Sequence, residues 1–283
     1  GNYNRFQIEL QGDINYKNNW WSEGGVAYKP IIYSNTVLRG GPRWRWSDEH
    51  FFYFFSGTNQ SKKFSGTLGY IYSQAKQNNF GLRKYEARLN YQPLNALSLS
   101  LAAEYASNPN KTQYASQQDY VGITRYILSE IDQETLSATL RINYSFNPNL
   151  TLQYYGQPFI ATGSYSNFNF VNNPIAEDLN ERVTWYDNNQ IGFEDGVYSV
   201  DENLDGSTDY SFDDPNFSYV QFRSNLVLRW EYIPGSEVFF VWSQGITSFG
   251  DPLNDFGTII DNQLISQKPE NTFLIKATYR FML

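Results

Sequence analysis

The chain has 283 residues, a net charge of -8, 41% hydrophobic and 18% aromatic residues, one histidine and no cysteine. Its length suits one large β domain or two ordinary ones. The missing cysteines exclude disulfides and thiolate metal sites, the acidic balance argues against nucleic acid as a partner, and no run of about eighteen apolar residues offers a transmembrane helix. The mean hydropathy of -0.54 leaves a membrane barrel open, because a barrel strand gives only half of its residues to lipid. The 23 Tyr, 21 Phe and 7 Trp suit aromatic girdles at a membrane interface, and they also suit a Tyr-rich secreted β protein. With Gly1 at its start and no signal peptide in view, the sequence reads as a mature or partial chain.

The first element shows the pattern most clearly. Phe6, Ile8, Leu10, Gly12, Ile14 and Tyr16 alternate with Gln7, Glu9, Gln11, Asp13 and Asn15. This is period two over about eleven residues, the span a tilted strand needs to cross a bilayer. The alternation returns at Phe64–Tyr72, Lys84–Tyr91, Leu97–Tyr105 and Leu136–Ser145. Further on, Phe222, Leu226, Leu228 and Trp230 oppose Gln221, Arg223, Asn225 and Arg229. The last element runs from Asn271 to Leu283, with Phe273, Ile275, Ala277, Tyr279, Phe281 and Leu283 on one face.

Connections alternate in length. Gln92-Pro93-Leu94-Asn95, Asn147-Pro148-Asn149 and Ile233-Pro234-Gly235-Ser236 carry turn residues. The longest connection, residues 164–216, exceeds ordinary loop length and is expected to carry function or a small fold of its own. Short turns on one side and long loops on the other match outer-membrane barrels. With the C-terminus periplasmic, counting back gives about 14 strands, with Asp132-Gln133-Glu134 read as a short extracellular turn.

A soluble barrel or sandwich shows the same alternation with its faces reversed. A barrel of this strand number would leave an apolar interior unfilled. A sandwich would show more Lys and Glu on its polar face than this set of Ser, Thr, Asn and Gln. The expected fold is therefore an all-β, antiparallel, up-and-down transmembrane outer-membrane β-barrel. The terminal strand, apolar or aromatic at every second position up to Leu283, resembles the closing strand of such barrels, where it serves as the insertion signal.

Several stretches together resemble one family: Ser224-Asn225-Leu226-Val227-Leu228-Arg229-Trp230-Glu231-Tyr232, Pro234-Gly235-Ser236, Val241-Trp242-Ser243-Gln244, Leu38-Arg39-Gly40-Gly41-Pro42 and Asp132-Gln133-Glu134-Thr135-Leu136-Ser137. That family is a Bacteroidetes-type outer-membrane barrel family of unknown function. Its members carry an N-terminal domain similar to family 9 carbohydrate-binding modules. The resemblance implies that residues 1–283 are the C-terminal barrel domain, with an extracellular loop 164–216. It carries no established activity onto any residue.

The sharpest local motif lies in that loop. Asp201-Glu202-Asn203-Leu204-Asp205-Gly206-Ser207-Thr208-Asp209 reads D-x-N-x-D-G-x-x-D, the first nine positions of an EF-hand-type loop. Hard oxygen donors at alternate positions wrap Ca²⁺, and Gly206 permits the turn. Asp201, Asn203, Asp205, Ser207 and Asp209 are the candidate ligands, with Asp213 or Asp214 standing in for the missing Glu at position twelve, which is Phe212. A solvated acidic turn is the competing reading.

A second set, Glu9, Asp13, Lys84, Glu86, Arg88, Arg141, Arg223, Arg229, Glu231, Lys276 and Arg280, falls on the inferred lumen face. It reads either as a selectivity lining or as a ladder of cross-strand pairs. Trp20, Trp21, Trp44 and Trp46 suit either sugar stacking or a membrane interface. His50, in a loop-like stretch, is weak evidence for an enzyme. The expectation is a non-enzymatic channel or uptake component linked to glycans. The alternatives are a scaffold subunit with a plugged lumen and, more distantly, an outer-membrane enzyme. The expected partners are outer-membrane lipid, glycans and other surface proteins.

Overall fold

The computed structural model describes residues 4–281, and in them the alternation becomes one antiparallel meander. Its strands are β1 (Arg5–Asn15), β2 (Trp21–Ser34), β3 (Trp44–Trp46), β4 (Glu49–Gly57), β5 (Phe64–Ala75), β6 (Gly81–Leu94), β7 (Leu97–Tyr120), β8 (Ile123–Asn147) and β9 (Leu150–Val171). There follow β10 (Val183–Trp185), β11 (Ile191–Glu194), β12 (Val197–Val200), β13 (Tyr210–Asp213), β14 (Phe217–Ile233), β15 (Ser236–Gly250) and β16 (Glu270–Thr278). Two short helices, α1 (Leu179–Arg182) and α2 (Phe256–Ile260), lie in the connections. The main sheet runs β1-β2-β4-β5-β6-β7-β8-β9-β14-β15-β16, with β3 added to β2 and β10 to β9. Strands β11–β13 form a separate small sheet.

The turns act where their residues place them. Asn147-Pro148-Asn149 joins β8 to β9, and Pro234-Gly235 joins β14 to β15, with Gly235 at φ 77. That left-handed backbone suits a residue without Cβ. The side-chain period of two then assigns faces. Thr67 pairs with Arg88, Arg88 with Ala102 and Ala102 with Thr139, so a polar row crosses β5 to β8. One residue along, Leu68 pairs with Ala87, Ala87 with Ala103 and Ala103 with Ala138 on the opposite face.

The sheet curls toward the polar face. Trp21 on β2 and Gln157 on β9 line one cavity of about 500 Å³. Six strand spacings separate these strands in the sheet order, which is ~29 Å if flat. The convex face is apolar and open: Leu10 is 74% exposed, Leu68 67% and Ile275 71%. One patch of it is covered. The β15–β16 connection lays Phe256, Ile259, Ile260 and Leu264 on Leu136, Ile160 and Val220.

Three expectations change. The main path holds eleven strands, and β1 and β16 do not pair among the described residues, so neither 14 strands nor closure is found. Asp132-Gln133-Glu134 is no turn. These residues lie inside β8 and pair with both neighbours, Asp132 with Pro109 and Ser164. The count assumed one bilayer-length run per strand, whereas β7, β8 and β9 have 24, 25 and 22 residues, roughly twice a bilayer crossing. The long connection begins at 172 rather than 164, because β9 continues to Val171, and it does contain a fold of its own. The terminal alternation is strand through Thr278, and Met282 and Leu283 lie outside the described residues.

Candidate functional site

Two features of this sheet are candidates for function: an interlocked rim around the far ends of β7–β9 and a polar trough on the concave face. The rim is packed as a soluble protein is. Leu38 and Trp44, from the β2–β4 connection, meet Leu128 on β8, Leu179 on α1 and Val183 on β10, and Trp44 is 0% exposed. To do so, the connection reaches past β4, β5, β6 and β7. The small β11–β13 sheet gives Val200, Tyr210 and Phe212 to a second core with Ile127 and Phe168.

Polar locks join these pieces. The fully buried Arg182 donates to the Arg45 carbonyl and to Ser47 Oγ, and lies over the Trp44 ring at 5.4 Å. Burial, and Arg45 beside it, pull its pKa down to about 10. Asn79 Nδ2 donates to Ser47 Oγ at 3.2 Å, and Thr112 Oγ1 donates to Asn79 Oδ1 at 3.1 Å. The β5–β6 turn also holds α1, where Gln77 donates to Asp178 and accepts from the Leu179 amide.

Asp178 caps α1 by accepting from the Asn180 amide at 2.8 Å. The Gln77 bond first, then that amide, holds its carboxyl below the usual value of 3.8. A depressed carboxylate contributes stability above its unfolded pKa and loses it as pH falls through the folded value. Hydrogen-exchange protection of the Asn180 amide is therefore expected to fall as pH drops below 3.8. In Asp178→Asn that pH dependence is expected to vanish.

The candidate calcium residues sit in the β12–β13 connection. Asp201 accepts from the Asp205 and Gly206 amides, Asn203 from Asp205, Asp205 from Ser207, and Asp209 from Glu202. Asp213 ends β13, four strand residues beyond Asp209, ~13 Å along an extended chain. The turn does not bring it to the others. Among the described residues no group of three or more acidic, His or Cys side chains is arranged to hold a metal. The turn is anchored from below. Glu202 takes Arg125 Nε at 3.1 Å and Tyr210 Oη at 2.6 Å, and Tyr186 and Tyr210 share a hydrogen bond of 2.7 Å. Burial pushes both tyrosine hydroxyls well up, for Tyr210 with help from Glu202.

The trough carries Glu86, Arg88 and Arg141 of the predicted lumen charges. Lys84 binds Glu86 and Glu104, each at 3.0 Å, across β6 and β7. Arg229 joins Glu231 and Glu237. Aromatic rings complete the wall on β2 and β4. A Cβ at Gly25 would lie 2.6 Å from the Tyr53 ring, and one at Gly57 would collide with the Trp21 indole. Both rings therefore rest on bare neighbouring backbone, as does Phe55 on Gly69. The four tryptophans separate: Trp44 is core, Trp46 packs on Phe80, Trp20 is exposed and Trp21 lines the trough. His50 is on β4 rather than in a loop, and stacks on Tyr28 at 4.9 Å between ring centres.

A family model matches residues 1–282. The chain belongs to the family Domain of unknown function (DUF5916). No curated protein matches it. Among solved structures it is similar to the siderophore receptor PiuA from Acinetobacter baumannii, at 11% identity and a TM-score of 0.49, over 97% of this chain and 44% of that one. It is also similar to the NanC porin, at 9% identity and a TM-score of 0.28, over 98% and 94% of the two chains. The chain thus spans less than half the length of the receptor. The rim's buried hub, Arg182, escaped sequence reading, since a single Arg after a short polar run carries no local signal.

Proposed function

We propose that this chain forms wall strands of a bacterial outer-membrane β-barrel that acts without catalysis as a channel or uptake component for glycans. The carrying observation is the inverted sheet. Its convex face exposes Leu10, Leu68, Leu101, Leu140 and Ile275, and its concave face carries the ions and amides. In water such a belt is an aggregation hazard, whereas in lipid it is the required surface. Strands β7–β9 exceed a bilayer crossing, so the rim with its ordinary cores stands in water outside. The aromatic rings of Trp21 and Phe55 beside polar groups in the trough support a sugar ligand.

Single-channel recording of the full-length protein in a planar bilayer tests this reading. Stable conductance steps, narrowed by added oligosaccharide, are expected. Silence from folded protein would end the channel reading and favour a scaffold within a larger outer-membrane assembly. The strap of Leu38 and Trp44 across one rim favours that second reading. Calcium at Asp201, Asn203, Asp205, Ser207 and Asp209 remains part of the proposal, and requires these side chains to turn from the amides they cap. Calcium is expected to slow proteolysis within 172–216, and unchanged cleavage would remove the ion from the account. His50→Ala is expected to leave function intact.

A further inference from the structure

We propose that the trough between Trp21, Arg88 and Arg141 is a subsite for an acidic saccharide, a pyranose chain bearing ring carboxylates. The inference rests on the glycan reading and names its ligand class. A cavity of about 630 Å³ is lined by Trp21, Arg88, Arg141, Thr67, Asn90 and Thr139 among others, and no carboxylate lines it. The chain has 29 acidic residues against 21 basic ones, so an acid-free cavity with two guanidinium groups runs against its composition. The acids of the adjoining cavity are already taken, since Glu86 and Glu104 both hold Lys84. Arg88 and Arg141 make no hydrogen bond or ion pair among the described residues, and Arg141 only lies over Tyr155, at 5.1 Å.

The register sets these groups on two neighbouring rows of the concave face. Trp21 pairs with Gly57, Gly57 with Thr67 and Thr67 with Arg88, and Arg141 pairs with Ser100, the partner of Asn90. Trp21 and Arg88 are thus three strands apart, ~14 Å along a flat sheet, with Arg141 two strands further. One pyranose does not span these rows, and a short chain does. The indole lies against Gly57 and lines the cavity, where an aromatic ring can take a sugar ring. The guanidinium forks bind carboxylates in bidentate fashion, and the Thr and Asn side chains meet hydroxyls. No bond is made or broken.

The test is calorimetric titration of the full-length protein, folded in detergent micelles, with digalacturonate, with cellobiose as a neutral disaccharide and with acetate as a bare carboxylate. Digalacturonate is expected to bind with an affinity that falls as salt rises, and the other two far more weakly. Arg88→Gln and Arg141→Gln are each expected to weaken it about tenfold, as loss of a charge-assisted pair implies. Trp21→Ala is expected to weaken it without altering the response to acetate. Heat-modifiable gel migration confirms that each variant is folded. Equal binding of acetate would reduce the site to an adventitious anion site, and equal binding of cellobiose would make the arginines irrelevant. Either result overturns the proposal, as does no binding to folded protein. Conductance without digalacturonate binding sinks the subsite and leaves the channel. Binding with silent bilayers does the reverse.

Discussion

Leu140→Arg is expected to destabilise the protein in a bilayer by about 2–4 kcal/mol, the cost of a cation on the lipid side near the midplane. Leu140 pairs with Leu101 and Gly156 on the convex face and is already exposed. In a soluble sheet, arginine at such a position would be neutral, because the leucine gains nothing from water contact there. Asn143→Arg, on the concave face of the same strand, is the matched control, expected to cost under about 1 kcal/mol. Denaturant unfolding in lipid vesicles reads both. Equal costs would end the membrane reading, because face inversion is what separates the two solvents.

Arg182→Ala is expected to release the rim with a local cost of about 3 kcal/mol. The depressed pKa says that burial works against this cation, so its charge is not what stabilises the site. What is lost is donation to the Arg45 carbonyl and Ser47, with a void left beside Trp44. The Arg45 carbonyl loses this donor and Ser47 Oγ keeps only Asn79, and that loss outweighs the relief of desolvation. Limited proteolysis should then cut within 172–216, while heat-modifiable migration of the sheet stays normal. Arg182→Met refills the volume without the hydrogen bonds. Its cutting rate should fall between wild type and alanine, and a wild-type rate would mean that packing alone holds the rim.

How much of this was legible in sequence depends on the range of the signal. β1 and the turns at Pro148 and Pro234 were read correctly, because alternation and turn chemistry involve residues within a few positions of one another. The Asp201–Asp209 turn was visible for the same reason, although its reach toward Asp213 was not, because β13 extends between them. The strand count failed at Asp132-Gln133-Glu134. Three polar residues between apolar runs look like a turn, and only pairing with Asn108, Pro109, Gly163 and Ser164 keeps them in the ladder.

The sequence by itself determined that this is an antiparallel β protein with one apolar and one polar face, since period two assigns faces without knowing any partner. It also marked most of the charges that line the trough. Only the tertiary structure decided which of them remain unpaired. Lys84 is claimed by Glu86 and Glu104, while Arg88 and Arg141 face a cavity with Trp21. It alone showed that Arg182 ties the connection after β9 to the one between β2 and β4. Those outcomes depend on register and curl, which bring side chains from distant strands to one place, and no local pattern records that meeting.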